Sequence, residues 1–528
     1  MPQILRAGPL SATFGDGALR HVRLGACEVT ERIYGAVRDQ NWSTPPGRIE
    51  NLSVNELATS FHVVFDCVHQ EGDLDFRWRG TIEGTAAGRI AFAMDGKAHS
   101  TFPRNRIGLC VHHPLRECAG RPCLIELVDG RLEQSEFPEF VAPHQPFRNI
   151  RAMSYEVGGV GVEVRFAGDV FETEDHRNWT DANFKTYSTP LSLPFPIEVT
   201  AGSEVHQRLE IALRGAGSMA EPAPDAVVRV GASGEPRPMP RIGLAMAANE
   251  RPLSQTELSA LRRLRLAHLR VECGPALERA AEEAQALGAK LEIAVTAADH
   301  LADAALWSPM TERWLVFDSS LVRAMRQAAG QGANVVTGTN ACFAELNRNR
   351  PHGDGWDGAC FSVNPQVHMC DDASVMANAA AQYDAVRSAQ RFLGGRGVVV
   401  SPVTLRPRFN DPDPRQKLPL CAAWTVASLK ALAEAGAASV TYFETHGAGG
   451  LMDGGNLYPV YRVFEALAET FIPCEISDPA RVAAMAVDSG AGRRYLVANL
   501  TPNACEVEVE GREQVLEPYG VVTVQGAG

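Results

Sequence analysis

From the N-terminus to about Gly217, apolar and polar residues alternate in short runs broken by Gly, Asp, Asn and Pro. "ELATSFHVVFDCVH", "LDFRWRGTIEG", "GRIAFAMDG" and "VGVEVRFAGDVFE" read as half-buried strands, because side chains two apart share one face of a pleated strand. No convincing amphipathic helix of more than two turns interrupts them. Residues 1–217 are therefore expected to form an all-β domain, most simply a large sandwich. The next stretch, 218–240, lies in "GAGSMAEPAPDAVVRVGASGEPRPMPR", whose Pro, Gly, Ala and Ser content reads as a linker.

At Arg241 the rhythm changes to apolar strand, loop and helix, repeated. The predicted strands are 241–247, 268–273, 290–295, 314–318, 334–343, 359–368, 397–405 and 439–445. Helical stretches such as "SQTELSALRRLR", "GPALERAAEEAQALG" and "CAAWTVASLKALAEAG" separate them. Eight strands alternating with helices over about 240 residues match a (β/α)8 TIM barrel, placed at 241–475. A doubly wound open sheet is disfavoured because no G-x-G-x-x-G follows the first strand. Strands return in 476–528, too short a piece to hold much core alone, so it should pack on the barrel or complete the sandwich. The expected fold is multidomain, α/β plus all-β: a glycoside-hydrolase-like TIM barrel, an N-terminal β-sandwich and a small C-terminal β region.

Composition narrows the partners. A net charge of −13 leaves no basic surplus for phosphates, which argues against a nucleic-acid binder. No window approaches the ~20 uninterrupted apolar residues of a membrane span, and the N-terminus does not read as a signal peptide. Twelve scattered cysteines contain no C-x-x-C pair, which suits reduced thiols in a bacterial-type cytoplasm. His112–His113, His368 and His446 form neither H-x-H nor H-E-x-x-H, and "MCDDAS" is not a calcium loop, so no metal is expected. No cofactor is expected either: a Walker A loop is missing, and the lack of a G-x-S-x-G elbow removes the commonest route to an esterase. A homo-oligomer is left open.

Barrel side chains at the C-terminal ends of strands line the mouth where such folds act. Reading those ends gives Glu272 at the end of strand two, Asn340 and Glu345 where strand five runs out, and Asn364, Gln366 and His368 at the end of strand six. Arg406 and Arg408 follow strand seven, and Glu444, Thr445 and His446 close strand eight. Carboxylates, amides and histidines converging on one mouth suit a hydroxyl-rich substrate, and two carboxylates can divide acid and base roles. Glu345 and Glu444 are the expected catalytic pair, since each follows an apolar strand. Glu272, Asn340, His368 and Arg406 are the expected substrate contacts. The plain alternative is that such a Glu caps a helix or pairs with a rim Arg, as Arg348 and Arg350 near Glu345 would permit.

One segment outside the barrel is polar and aromatic together: "FETEDHRNWTDANFKTYSTPLSLPFP", 171–196. Asp175, Arg177, Trp179 and Lys185 are its candidate substrate contacts. Trp179, Phe184 and Tyr187 carry too much apolar surface for a fully exposed loop. The segment reads either as a loop over the barrel mouth or as a plug between domains.

The runs "STFPRNRIGLCVHHP", "CAGRP", "PHQPFRNIRA", "FETEDHRNWTDANFKTYSTPL", "TGTNACFAELNRNRP", "NPQVHMCDD" and "YFETHG" resemble the D-apionate lactonase family. The resemblance implies hydrolysis of D-apionolactone to D-apionate in bacterial apiose catabolism, with a small sugar lactone as partner. It brings no residue roles with it.

Both readings meet at one carbon. A glycosidase stabilises a flattened, partly positive anomeric carbon, and a sugar lactone has a trigonal carbonyl at that ring position. One glutamate would activate water and the other protonate the departing ring oxygen, with Asn340, His368 or Arg406 donating to the oxyanion. A glycoside hydrolase using the same glutamates, and a carbohydrate-binding protein without turnover, are the competing readings.

Overall fold

The computed structural model describes residues 3–215, 227–249, 251–302, 304–488 and 492–526. The chain divides into two compact units: residues 1–176 with 183–223, and residues 177–182 with 224–528.

In the first unit, seventeen strands are joined by hydrogen bonds into one continuous sheet. Strand Leu74–Thr85, "LDFRWRGTIEGT", alternates buried and outward positions along its length. Its inward residues join those of the other strands in one apolar core, as a sheet folded over its own face requires. Phe65, Trp78 and Phe92 meet there, with ring centroids 5.3 and 6.3 Å from Phe65. Gly80 sits opposite Phe65 in the antiparallel register, and a Cβ on Gly80 would lie 2.2 Å from the Phe65 ring. The small residue is what lets that ring lie across the neighbouring strand.

The second unit holds a closed barrel of eight parallel strands. They are Arg241–Ala245, His268–Glu272, Lys290–Val295, Thr311–Val316, Val335–Gly338, Gly358–Val363, Gly397–Val403 and Ser439–Glu444. The first strand closes on the eighth, with Arg241 beside Ser439 and Leu244 beside Tyr442. Helices are cut where local chemistry directs. Ser254 and Glu257 form a reciprocal cap at the start of Gln255–Arg263. Gly288, at φ 72°, ends Leu277–Leu287.

Helix Pro419–Ala435 is buried nearly all round, as its apolar sequence demands. It packs against neighbouring helices on one side and against strands Val482–Asp488 and Arg493–Asn499 on the other. The C-terminal strands thus pack on the barrel, one of the two arrangements expected for them.

Part of the stretch read as a linker is folded. Val228–Ala232 pairs antiparallel with Cys474–Ile476 and parallel with Cys505–Val509, and Arg237–Pro238 pairs with Thr470–Ile472. Val228 and Val230 enter the C-terminal core beside Val482, Val497 and Val507. Five residues of strand, "VRVGA", are masked in the sequence by proline-rich flanks. Residues 218–226 lie outside the described residues. Among the described residues, no helix is long and apolar enough to cross a membrane.

Candidate active site

The interior of the barrel is charged, and the period-2 rule explains how. In "HLRVE", His268, Arg270 and Glu272 share the inward face of strand two. Glu292 on strand three, Arg313 on strand four, Ser401 on strand seven and Thr441 on strand eight meet them. Fully buried Glu292 accepts from Arg313 Nη1 at 2.9 Å, Ser401 Oγ at 2.5 Å and Thr441 Oγ1 at 2.7 Å. Burial works against its charge, but His268, Arg313, Arg270 and the Ser401 hydroxyl outweigh it and hold the carboxyl down at about 2. Burial pushes His268 down to about 4, so it is neutral at pH 7 and Arg313 is the permanent countercharge.

Ser401 links this buried set to the mouth. Its Oγ accepts from Arg270 Nη1 at 2.7 Å. Arg270 Nη2 donates to Asn340 Oδ1 at 2.7 Å and to Glu272 Oε1 at 3.2 Å. Arg408 reaches the same two acceptors, Asn340 Oδ1 at 2.8 Å and Glu272 Oε1 in a close ion pair. Two guanidinium groups on one amide atom fix it as the oxygen. Above this floor opens a cavity of about 680 Å³ lined by Arg270, Glu272, Arg406, Arg408 and Glu444, among others.

Glu444 enters the cavity through a break in strand eight. Ser439 and Thr441 face inward, whereas Tyr442 faces the helices, its hydroxyl 2.8 Å from Ser428 Oγ. Strict alternation would put Glu444 outward with Tyr442. Instead the pairing with strand one steps from Leu244–Tyr442 to Ala245–Glu444, skipping Phe443, whose φ is +31°. This bulge turns the glutamate into the mouth. Glu444 N donates to Gly449 O at 3.0 Å, and a Cβ on Gly449 would lie 3.4 Å from the carboxyl carbon. Burial raises the Glu444 carboxyl above its ordinary range, opposed by a hydrogen bond from the Ala248 backbone and by the charge of Arg408.

The expected residues separate into groups. Glu272, Arg406 and Glu444 line the cavity, and Asn340 holds two of its arginines. Arg406 Nε lies 3.2 Å from Asp413, a buried carboxylate that Arg415 and Gln366 hold low against the effect of burial. Glu345 does not line the cavity. The apolar run 334–343 is strand only to Gly338, after which the chain turns and Glu345 becomes an exposed residue of helix Phe343–Arg348. Its neighbours pair elsewhere: Arg350 with Asn347 Oδ1 at 3.0 Å, and Arg348 over the Trp179 ring at 5.0 Å.

His368 also lies off the cavity lining, its Nδ1 2.6 Å from Asp181 Oδ2. Arg177–Ala182 belongs to the barrel unit, held by Arg177 to Asp384 at 3.0 Å, Asn347 to Asn178 at 3.1 Å, and Asn378 to Asp181 at 3.1 Å. Neither Arg177 nor Trp179 lines the cavity. Asp175 and Lys185 belong to the first unit, where Asp175 accepts from Ala142 N at 2.9 Å and Lys185 pairs with Glu174 at 3.3 Å. Strand-end reading passed over Arg270 because its position is mid-strand. The signal was an arginine on the inward face between His268 and Glu272.

Known proteins agree with this organisation. Three family descriptions match the chain: D-apionate lactonase N-terminal domain over residues 1–216, its TIM barrel domain over 317–471, and its C-terminal immunoglobulin-like domain over 479–524. The D-apionate lactonase of Brucella anthropi is 30% identical over 453 residues, 78% of this chain and 74% of that protein. Among solved structures, a GH30 endoxylanase from Clostridium papyrosolvens is 11% identical, covering 57% of this chain and 97% of its own, at a TM-score of 0.39. A glucosidase from Croceicoccus marinus is 11% identical, covering 57% and 84%, at 0.40. Likeness at that level carries no weight for the chemistry, and the barrel rests on its own strand pairing. The three matched regions and the relative, similar over most of both lengths, place the chain in the D-apionate lactonase family.

Proposed function

We propose that this protein hydrolyses D-apionolactone to D-apionate at the mouth of its barrel, with Glu444 handling the proton. The observation that carries the reading is Glu444 itself, bulged into a cavity beside Arg408 and raised by burial toward the range where a carboxyl both takes and gives protons. Water attacks the lactone carbonyl carbon and gives a proton to Glu444. The tetrahedral intermediate collapses, the bond from that carbon to the ring oxygen breaks, and Glu444 returns the proton to the ring oxygen. One carboxyl serves both transfers, so the reaction does not require Glu345. Twelve scattered cysteines with no C-x-x-C pair support a reducing, cytoplasmic setting.

The test is proton release by the purified protein with D-apionolactone, simple aldonolactones and aryl glycosides, repeated with Glu444→Gln and Glu345→Gln. Rapid lactone opening lost by about 10²–10⁴-fold in Glu444→Gln, and retained in Glu345→Gln, is expected. Undiminished turnover in Glu444→Gln removes the assigned role. Turnover of glycosides with silence on lactones removes the reaction.

A further inference from the structure

We propose that Arg408, backed by Arg270, is the seat of the lactone carbonyl oxygen as it becomes an oxyanion, and of the product carboxylate after ring opening. The inference rests on the lactonase reading above and adds the residue that stabilises its charge.

The geometry has three parts. Arg408 and Arg270 line the same cavity and converge on Asn340 Oδ1 and Glu272 Oε1. Arg270 is fixed in addition by the Ser401 hydroxyl and is 2% exposed, whereas Arg408 stands further out. Two guanidinium charges therefore share one carboxylate and one neutral amide. Arg408 holds the closer ion pair with Glu272 and Arg270 shares that carboxylate, so the two guanidinium groups together outnumber the one carboxylate they contact. The other carboxylates of the cavity are Asp413, committed to Arg415 and Arg406, the exposed Asp411, and Glu444. Glu444 is the one whose titration Arg408 influences.

That arrangement matches the movement of charge in the reaction. When water gives its proton to Glu444, the glutamate loses its negative charge as the carbonyl oxygen gains one. The negative charge moves from one oxygen near Arg408 to another, and the guanidinium faces it before and after the step. A fixed donor of this kind acts on the transition state more than on the uncharged lactone. Burial and the neighbouring Arg270 lower the Arg408 pKa, opposed by Glu272, consistent with a cation short of countercharge. Asn340 and Glu272 are positioning residues that hold both arginines on shared acceptors.

The experiment pairs kinetics with calorimetry on Arg408→Met and Arg408→Lys, using D-apionolactone as substrate and D-apionate and the uncharged D-apionamide as binding probes. Arg408→Met is expected to lower kcat by about 10²–10³-fold with KM changed by less than about threefold. Its affinity for D-apionate is expected to fall by at least about tenfold while that for D-apionamide stays within about twofold. Arg408→Lys should recover part of both losses, since it restores charge without the planar fork. If Arg408→Met does not fold, by circular dichroism, the lysine variant alone carries the same comparison of the two probes. Equal loss of affinity for the charged and uncharged probes, or wild-type kcat, overturns the proposal while leaving the lactonase intact. A wild-type protein that opens no lactone overturns both.

Discussion

Replacing Glu292 with Gln keeps the side chain's shape and removes the fully buried carboxylate at the centre of the barrel network. The consequence can be worked from the structure in two ways. By proton linkage, a carboxyl held at about 2 instead of its ordinary 4.5 contributes at most on the order of 3 kcal/mol, because His268, part of what holds it there, is itself neutral at pH 7. By direct removal, stripping one partner from a buried ion pair costs about 3–5 kcal/mol, toward the lower end here because Arg313, 4% exposed, keeps Glu312 at 3.2 Å. The two routes agree in size.

The sign follows from the depressed folded-state value: the stabilisation is complete above about pH 4.5 and is lost as pH falls from there toward about 2. Urea unfolding followed by tryptophan fluorescence reports on the barrel through Trp314 and Trp424, both buried in it, alongside Trp78 of the first unit. The wild type should exceed Glu292→Gln by about 3 kcal/mol at pH 7, and the gap should close on acidification below about 4.5. A gap under about 1 kcal/mol at pH 7, or one that does not change with acid, refutes the assignment of Glu292 as an ionised hub. The same variant should loosen Arg270, because the Ser401 proton that now points at Glu292 leaves the hydroxyl oxygen free to accept from Arg270.

Three further outcomes are expected. The acid limb of kcat/KM should lie above the ordinary carboxyl value of 4.5, because burial raises Glu444, and Arg408→Met should move it further up by removing the cation that favours the charged form; a limb that stays put in a pH-rate profile contradicts this. Gly80→Ala should destabilise the N-terminal unit by about 1–3 kcal/mol in thermal melting, since the new methyl meets Phe65 at 2.2 Å in a ring cluster with nowhere to move. Burial depresses His113 from 6.5 to about 3, so its contribution is present above about pH 6.5 and is lost as pH falls toward 3; His113→Gln should flatten the acid dependence of that unit over the same window in urea titrations.

The sequence by itself determined the strand-and-helix rhythm of the barrel, the sheet-rich N-terminal region, and the glutamates at the ends of strands two and eight, because each depends on local period and on which end of a strand a residue occupies. It did not determine that "VRVGA" would be a strand, since two short segments far along the chain supply its partners. It placed Glu345 at a strand end by continuing an apolar run past Gly338, where the chain in fact turns to enter a helix. Only the tertiary structure brought Arg270, Asn340 and Arg408, from strand two and the loops after strands five and seven, onto shared acceptors. Only it showed that Glu444, outward by alternation, is turned inward by a bulge at Phe443. Periodicity records which face a residue takes while the pairing is regular; a bulge, and the meeting of three distant segments, depend on closure of the barrel, which no local pattern contains.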